Sequence, residues 1–217
     1  KHSWLTGFGY YLHNQASNII LKSYFPLSQA GYVQFSNAYT LEIQSGLLSS
    51  QMQVLLPYFA NNQHEPLRIR RGINQYIEAS FFLLGFPAIF GFVFGKELIQ
   101  VFFGEKWLPA YPVFMMYCGY ALVRILFAPA LSMLTSLGKM KQTTMLAYFN
   151  FALCTISLLL AIFISKDIYW YSFVFVIVSL IAEGIKSIWG LSFLKISIFQ
   201  ILQDCSRNIL CLAITAV

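Results

Sequence analysis

Charge is scarce in this chain: Asp, Glu, Lys and Arg make up 10% of its 217 residues, where a soluble domain carries about 25%. That excludes an ordinary water-soluble domain. A hydrophobic content of 58% and a mean hydropathy of +0.65 exclude disorder as well, because disordered chains have few apolar residues and high net charge. Basic clusters are missing despite a net charge of +6: the longest basic run is Arg70-Arg71 and no basic helix face forms, so nothing marks a nucleic-acid partner. Cysteine and histidine are few and scattered. Cys118, Cys154, Cys205 and Cys211 form no C-x-x-C pair, and His2, His13 and His64 lie far apart, so neither a metal site nor a disulfide framework is signalled. There is no G-x-S-x-G, no H-E-x-x-H and no glycine-rich phosphate loop. A secretory signal is missing too, since the first apolar stretch contains polar residues that a signal segment lacks.

What remains is an all-α, polytopic transmembrane helical bundle. A spanning helix needs about 20 mostly apolar residues. That ruler predicts six complete spans, near 4–24, 30–59, 73–103, 110–137, 143–164 and 169–194, and a truncated seventh starting near 207. The apolar runs are continuous rather than alternating, which argues against a β-barrel. Gly85 and Pro87 predict a kink in the third span. The chain starts at Lys1 rather than Met and its last apolar run reaches Val217 too short to cross, so residues 1–217 are expected to be one lobe of a longer protein.

The connections alternate in charge. Residues 61–72 hold Arg68, Arg70 and Arg71 against Glu65, residues 138–142 hold Lys139 and Lys141, and residues 195–207 hold Lys195 and Arg207 against Asp204. The intervening loops have no basic excess: 26–29 is uncharged, Glu105 offsets Lys106, and Asp167 offsets Lys166. Lys and Arg accumulate on the cytoplasmic side, which assigns the first set to the inside. Trp107, Tyr111, Tyr169, Trp170 and Tyr171 then fall at the outer interface, where aromatic anchors belong.

Polar side chains in hydrocarbon have to be paired or wetted. On the first span Tyr11, Asn14, Asn18 and Lys22 share one helical stripe, with Gln15 beside it. On the second, Asn37, Gln44 and Gln51 recur every seven residues next to a stripe of Glu42, Ser45, Ser49 and Gln53. Two readings fit: interhelical hydrogen bonds worth about 0.6 to 2 kcal/mol each, or a water-filled cavity lined by both helices. The fifth span has few polar atoms beyond Asn150, Thr155 and Ser157 and is expected to face lipid.

Arg124 lies almost midway along the fourth span, where a charge costs about 2.5 to 3.5 kcal/mol. Tyr117, Tyr120 and Thr135 fall near its face. A guanidinium among hydroxyls suits an anion, since it meets phosphate bidentately and stays charged; the alternative is a buried pair with Glu42 or Glu183. Glu183 and Lys186, three residues apart, can satisfy one another. Glu42 and Glu183 are the candidates for ion or proton coupling. His13 reads as a lone membrane histidine satisfied by a neighbouring helix.

Several short stretches then recur in a telling order. Gly31-Tyr32 opens a polar helix that closes with Leu56-Pro57-Tyr58-Phe59 before a basic loop. Val101-Phe102-Phe103-Gly104-Glu105-Lys106-Trp107 precedes Pro109-Ala110, and Ser136-Leu137-Gly138-Lys139-Met140-Lys141 follows a proline-containing helix. This order resembles the polysaccharide-lipid flippases of the MOP superfamily, the Wzx-type transporters of O-antigen and capsule repeat units. The resemblance covers essentially the whole chain and corresponds to the carboxy-terminal half of such a transporter. It implies one lobe of a MATE-like, two-lobed, multi-pass protein of the bacterial inner membrane, acting in polysaccharide and lipopolysaccharide biosynthesis. That protein moves undecaprenyl-pyrophosphate-linked oligosaccharide between leaflets by alternating access and is not an enzyme. The partners implied are the lipid-linked oligosaccharide, membrane lipids, H+ or Na+, and polysaccharide assembly proteins; no cofactor or metal is implied.

The family has no invariant catalytic motif, so site residues come from this chain alone. Arg124, with Lys22 or Lys186, would hold the pyrophosphate; Asn14, Asn18, Asn37, Gln44 and Gln51 would meet sugar or water beside Tyr117 and Tyr120; Glu42 and Glu183 would serve coupling. A MATE-like drug or cation exporter would share the fold but favours acids over a central Arg. An integral-membrane glycan polymerase usually carries a long outer loop, and the longest connection here is 61–72.

Overall fold

The computed structural model describes residues 2–63 and 65–192. The predicted seventh span, the segment from Lys195 to Arg207, Cys205 and Cys211 lie outside the described residues. Among the described residues every regular element is helical, the arrangement that satisfies backbone polar groups without water.

Helix α1 (His2–Tyr24) stops before Pro26, which has no N–H to continue the ladder, and the chain turns at once into α2 (Leu27–Asn37). A π turn, Ala38–Glu42, joins α2 to α3 (Ile43–Asn61). Backbone angles stay helical through both junctions, so residues 27–61 form one rod. Helix α4 (Pro66–Ser80) begins on a proline, the residue whose missing donor is harmless in a first turn. A second π turn, Phe81–Gly85, leads into α5 (Phe86–Phe103). It falls where Gly85 and Pro87 predict a kink, because Pro87 withholds a ladder bond. A second bend, at Phe94 (φ −107°, ψ 18°), was not expected from the sequence. It lies between Gly91 and Gly95, where the Phe114 ring of the next helix packs onto bare backbone.

Gly104, at φ +84°, ends α5 and opens the 3-10 turn Glu105–Ala110 before α6 (Tyr111–Ser136). At the far end of α6 the Lys139 N–H donates to Leu134 O (3.0 Å) and the Gly138 N–H to Thr135 O (3.1 Å), with Gly138 at φ +69°. This is a Schellman ending, which favours glycine because a Cβ strains the left-handed conformation. Gly138→Ala is expected to cost about 1 kcal/mol, read as a fall of about 2–4 °C in the melting temperature of the detergent-solubilised protein. Helices α7 (Met140–Ile164) and α8 (Ile168–Ser192) follow. Asp167 caps α8, its carboxylate accepting the Tyr169 N–H at 3.1 Å.

Helix α6 is the hub, packing most extensively on α8 and also on α2, α3, α4, α5 and α7, while α1 lies along α7. At one end the Tyr169 hydroxyl donates to Pro109 O (3.1 Å) and Phe25 meets Tyr171 edge-on (5.3 Å), so the connections after α1, α5 and α7 share that end. There Trp107 stacks on Phe35 (4.8 Å) and joins the 3-10 turn to α2. At the other end Leu137 packs on the cluster of Phe59, Ile69 and Ile73, which gathers Arg68, Arg70, Arg71, Lys139 and Lys141 there. Arg68 is held by Glu65 at 2.8 Å. Among the described residues the two basic connections thus share one end and the charge-neutral ones the other, as the alternation predicts.

Four helical stretches are long and apolar enough to cross a membrane: Leu67–Phe103, Glu105–Ser136, Met140–Ile164 and Ile168–Gly190. Their outward faces carry large apolar side chains, such as Phe82, Phe86 and Phe163, suited to lipid. Helix α1 and the 27–61 rod, expected as the first two spans, are long enough but too polar to join that set. The chain is a membrane protein.

Candidate functional site

Part of the polar content of the two amino-terminal rods converges on an open cavity of about 480 Å³ lined by α1, the 27–61 rod, α6, α7 and α8. Helix α1 lends it His13, Ser17, Asn18 and Leu21, residues that recur on one helical face. The 27–61 rod contributes Val33, Gln34, Asn37, Leu41, Glu42 and Ser45. Tyr117, Tyr120 and Arg124 line it from α6, Asn150 from α7, and Tyr171, Phe175, Ser179, Glu183 and Lys186 from α8.

The cavity is polarised along its length. Tyr117 stacks on Phe175 (5.8 Å), and the Tyr171 hydroxyl donates to Ser17 O (3.2 Å), so aromatic rings line the end nearer the charge-neutral connections. Arg124 lies about two turns, roughly 10 Å, beyond Tyr117 along α6, and Glu183 and Lys186 lie about two and three turns beyond Phe175 along α8, all nearer the basic end. Lys186 is 4% exposed and donates to Glu183 at 2.7 Å. Glu42 accepts from the Asn37 amide at 3.1 Å. Among the described residues Arg124 has no carboxylate within ion-pair distance. Of the two readings open for Arg124, the pair with Glu42 or Glu183 is therefore not formed: each acid is engaged elsewhere.

The π turn decides which polar residues reach the cavity. A π turn brings residues five apart together, which is why Asn37 and Glu42 meet. It also inserts a residue into the helical repeat and rotates everything after it. The seven-residue alignment of Asn37, Gln44 and Gln51 is broken there, and this corrects the expectation that all three share the cavity. Gln44 is buried, donating to Ala121 O of α6 at 2.6 Å, and Gln51 accepts from Ser80 of α4 at 2.7 Å. Both are interhelical links. Because the Gln44 carbonyl oxygen is buried without a partner, Gln44→Leu is expected to change stability by less than about 1 kcal/mol; a thermal-unfolding comparison in detergent checks it.

On α1 the predicted stripe is rotated as well. Asn18 lines the cavity, whereas Tyr11, Gln15 and Lys22 face outward, so Lys186 and not Lys22 lines the cavity with Arg124. The Asn14 side chain lies outside the described residues. Helix α7 does not simply face lipid. Thr6 and Thr144 hydroxyls meet at 2.6 Å and Gly9 abuts Ala147, so α1 covers one face of α7 and leaves Asn150, 7% exposed, on the cavity wall. Asn150, expected on a lipid-facing span, and His13, expected to be satisfied by a neighbouring helix, line the cavity instead; neither place is legible in the sequence because each is an isolated polar residue on its helix.

A family model described as polysaccharide biosynthesis protein matches residues 1–112, more than half of the chain. The chain belongs to the polysaccharide biosynthesis protein family. None of the curated proteins and none of the solved structures gives a match. The part that matches this polysaccharide biosynthesis family contains both polar rods and the π turn with Asn37 and Glu42. Arg124, Glu183 and Lys186 follow it in the chain and line the cavity from the other side.

Proposed function

We propose that the protein is one lobe of an inner-membrane exporter of the Wzx type, which carries undecaprenyl-pyrophosphate-linked oligosaccharide from the cytoplasmic to the outer leaflet in bacterial polysaccharide biosynthesis. The observation that carries this reading is Arg124, a guanidinium that has no carboxylate partner among the described residues and lines a polar cavity between membrane helices. A diphosphate fits such a site because the planar fork meets two oxygens at once in a low-dielectric setting. Asn18, Asn37 and Asn150 would face sugar or water, and Tyr117 and Tyr120 would wall the same space.

In this reading α1 and the 27–61 rod also cross the membrane, with some of their polar side chains on the cavity and others bonded to α4, α6 and α7, which makes six crossings among the described helices. The basic end is cytoplasmic. The aromatic rings at the opposite end would form the gate of alternating access. Glu42, bonded to Asn37 across the π turn, is suited to coupling, since protonation would remove the charge that the amide stabilises. The protein acts as a carrier and not as an enzyme.

The test is the lipid-linked intermediate in a strain lacking the protein. Export predicts complete repeat units trapped on the cytoplasmic face. Single unpolymerised units at the surface would instead identify a glycan polymerase.

A further inference from the structure

We infer that His13 is a proton-linked member of the anion cavity: it takes up a proton when a diphosphate diester binds between Arg124 and Lys186, so the anion binds more tightly as pH falls. This rests on the reading of the cavity as an anion site and adds to it a proton partner on a helix that carries no cationic ligand.

The first ground is geometric. His13 lines the cavity, and its Nδ1 is buried without a hydrogen-bond partner among the described residues. The two acids of the cavity are engaged, Glu183 with Lys186 and Glu42 with Asn37. His13 lies within electrostatic reach of both Lys186 and Glu183 on α8. Arg124, Tyr117 and Tyr120 face the same space from α6, Tyr171 from α8 and Glu42 from the π turn, and Cys154 of α7 lies within electrostatic reach of Lys186 and Glu183.

The second ground is charge. With a neutral His13 the cavity holds Arg124 and Lys186 against Glu42 and Glu183, which sum to zero. A diphosphate diester brings two negative charges into a space where charge is poorly screened. Any contact it makes with Lys186 is made in competition with Glu183, whose released carboxylate would add negative charge beside His13. Histidine is the side chain that changes charge between about pH 5 and 8, so it is the group that can answer. Linkage makes the effect reciprocal: if the anion favours the protonated form, protonation favours the anion by the same factor.

The test is calorimetric titration of the full-length protein in nanodiscs with a short-prenyl diphosphate sugar, whose phosphates stay ionised across the neutral range. Buffers of different protonation enthalpy give the number of protons taken up. Wild type is expected to take up a fraction of a proton, approaching one, per anion near neutral pH. Its affinity is expected to fall by up to about tenfold per pH unit on the alkaline side, the limit for one linked proton. His13→Gln is expected to abolish both the uptake and the slope, effects that a purely structural role would not produce. Binding by wild type without proton uptake overturns the inference and leaves the anion site standing. Uptake that survives in His13→Gln but is lost in Glu183→Gln overturns it too, moving the proton to the acid. Failure of wild type to bind the probe overturns the anion reading itself.

Discussion

Arg124→Ala is expected to weaken binding of a diphosphate sugar by about ten- to a hundredfold, the loss of a charge-assisted contact of roughly 1.5–3 kcal/mol. The size follows from the setting. Arg124 has no acid partner among the described residues, so its removal strands no buried carboxylate and the fold is expected to survive. Arg124→Lys keeps the charge but loses the bidentate fork, and its affinity is expected to fall between those of wild type and Arg124→Ala. Binding titrations on purified protein, with equal amounts of each variant in the membrane, check both. Equal affinity in wild type and Arg124→Ala would remove the diphosphate from this site.

Glu183→Leu is expected to show the opposite profile, with the larger effect on stability. It leaves the Lys186 ammonium, 4% exposed, without its partner at 2.7 Å. Stranding one member of a buried pair costs about 3–5 kcal/mol, or roughly 10 °C in melting temperature for a chain of this size. The double variant Glu183→Leu with Lys186→Met is expected to recover most of that stability, since apolar replacements of buried pairs are often neutral or better. On the proposed reading it still fails to export polysaccharide, because Lys186, proposed to face the diphosphate with Arg124, is gone. A double variant that exports normally would reduce the pair to a structural role.

The helical class, the helix positions and the end-to-end charge alternation were legible in the sequence, because hydropathy and Lys/Arg placement act over whole segments. Arg124 and the Glu183–Lys186 pair were legible too, since ionisable residues in apolar runs stand out singly. What escaped depends on helical phase. The π turn at Ala38–Glu42 adds a residue that no 3.6-residue pattern contains, so Gln44 and Gln51 were aligned with Asn37 although they bond to α6 and α4. Asn150 and His13 escaped for a related reason. One polar residue on a helix defines no stripe, and its environment is set by a neighbour, here α1 packed on α7 and α8 lining the same cavity as α1.

The most direct test of the account is leaflet exchange in sealed proteoliposomes holding the full-length protein and a fluorescent polyprenyl-diphosphate oligosaccharide, followed by a membrane-impermeant quencher. The account predicts that wild type makes the inner-leaflet label accessible and that Arg124→Ala, equally reconstituted, does so far more slowly. A wild-type protein that leaves the inner-leaflet label protected, or an Arg124→Ala variant that exchanges it as fast as wild type, would contradict it.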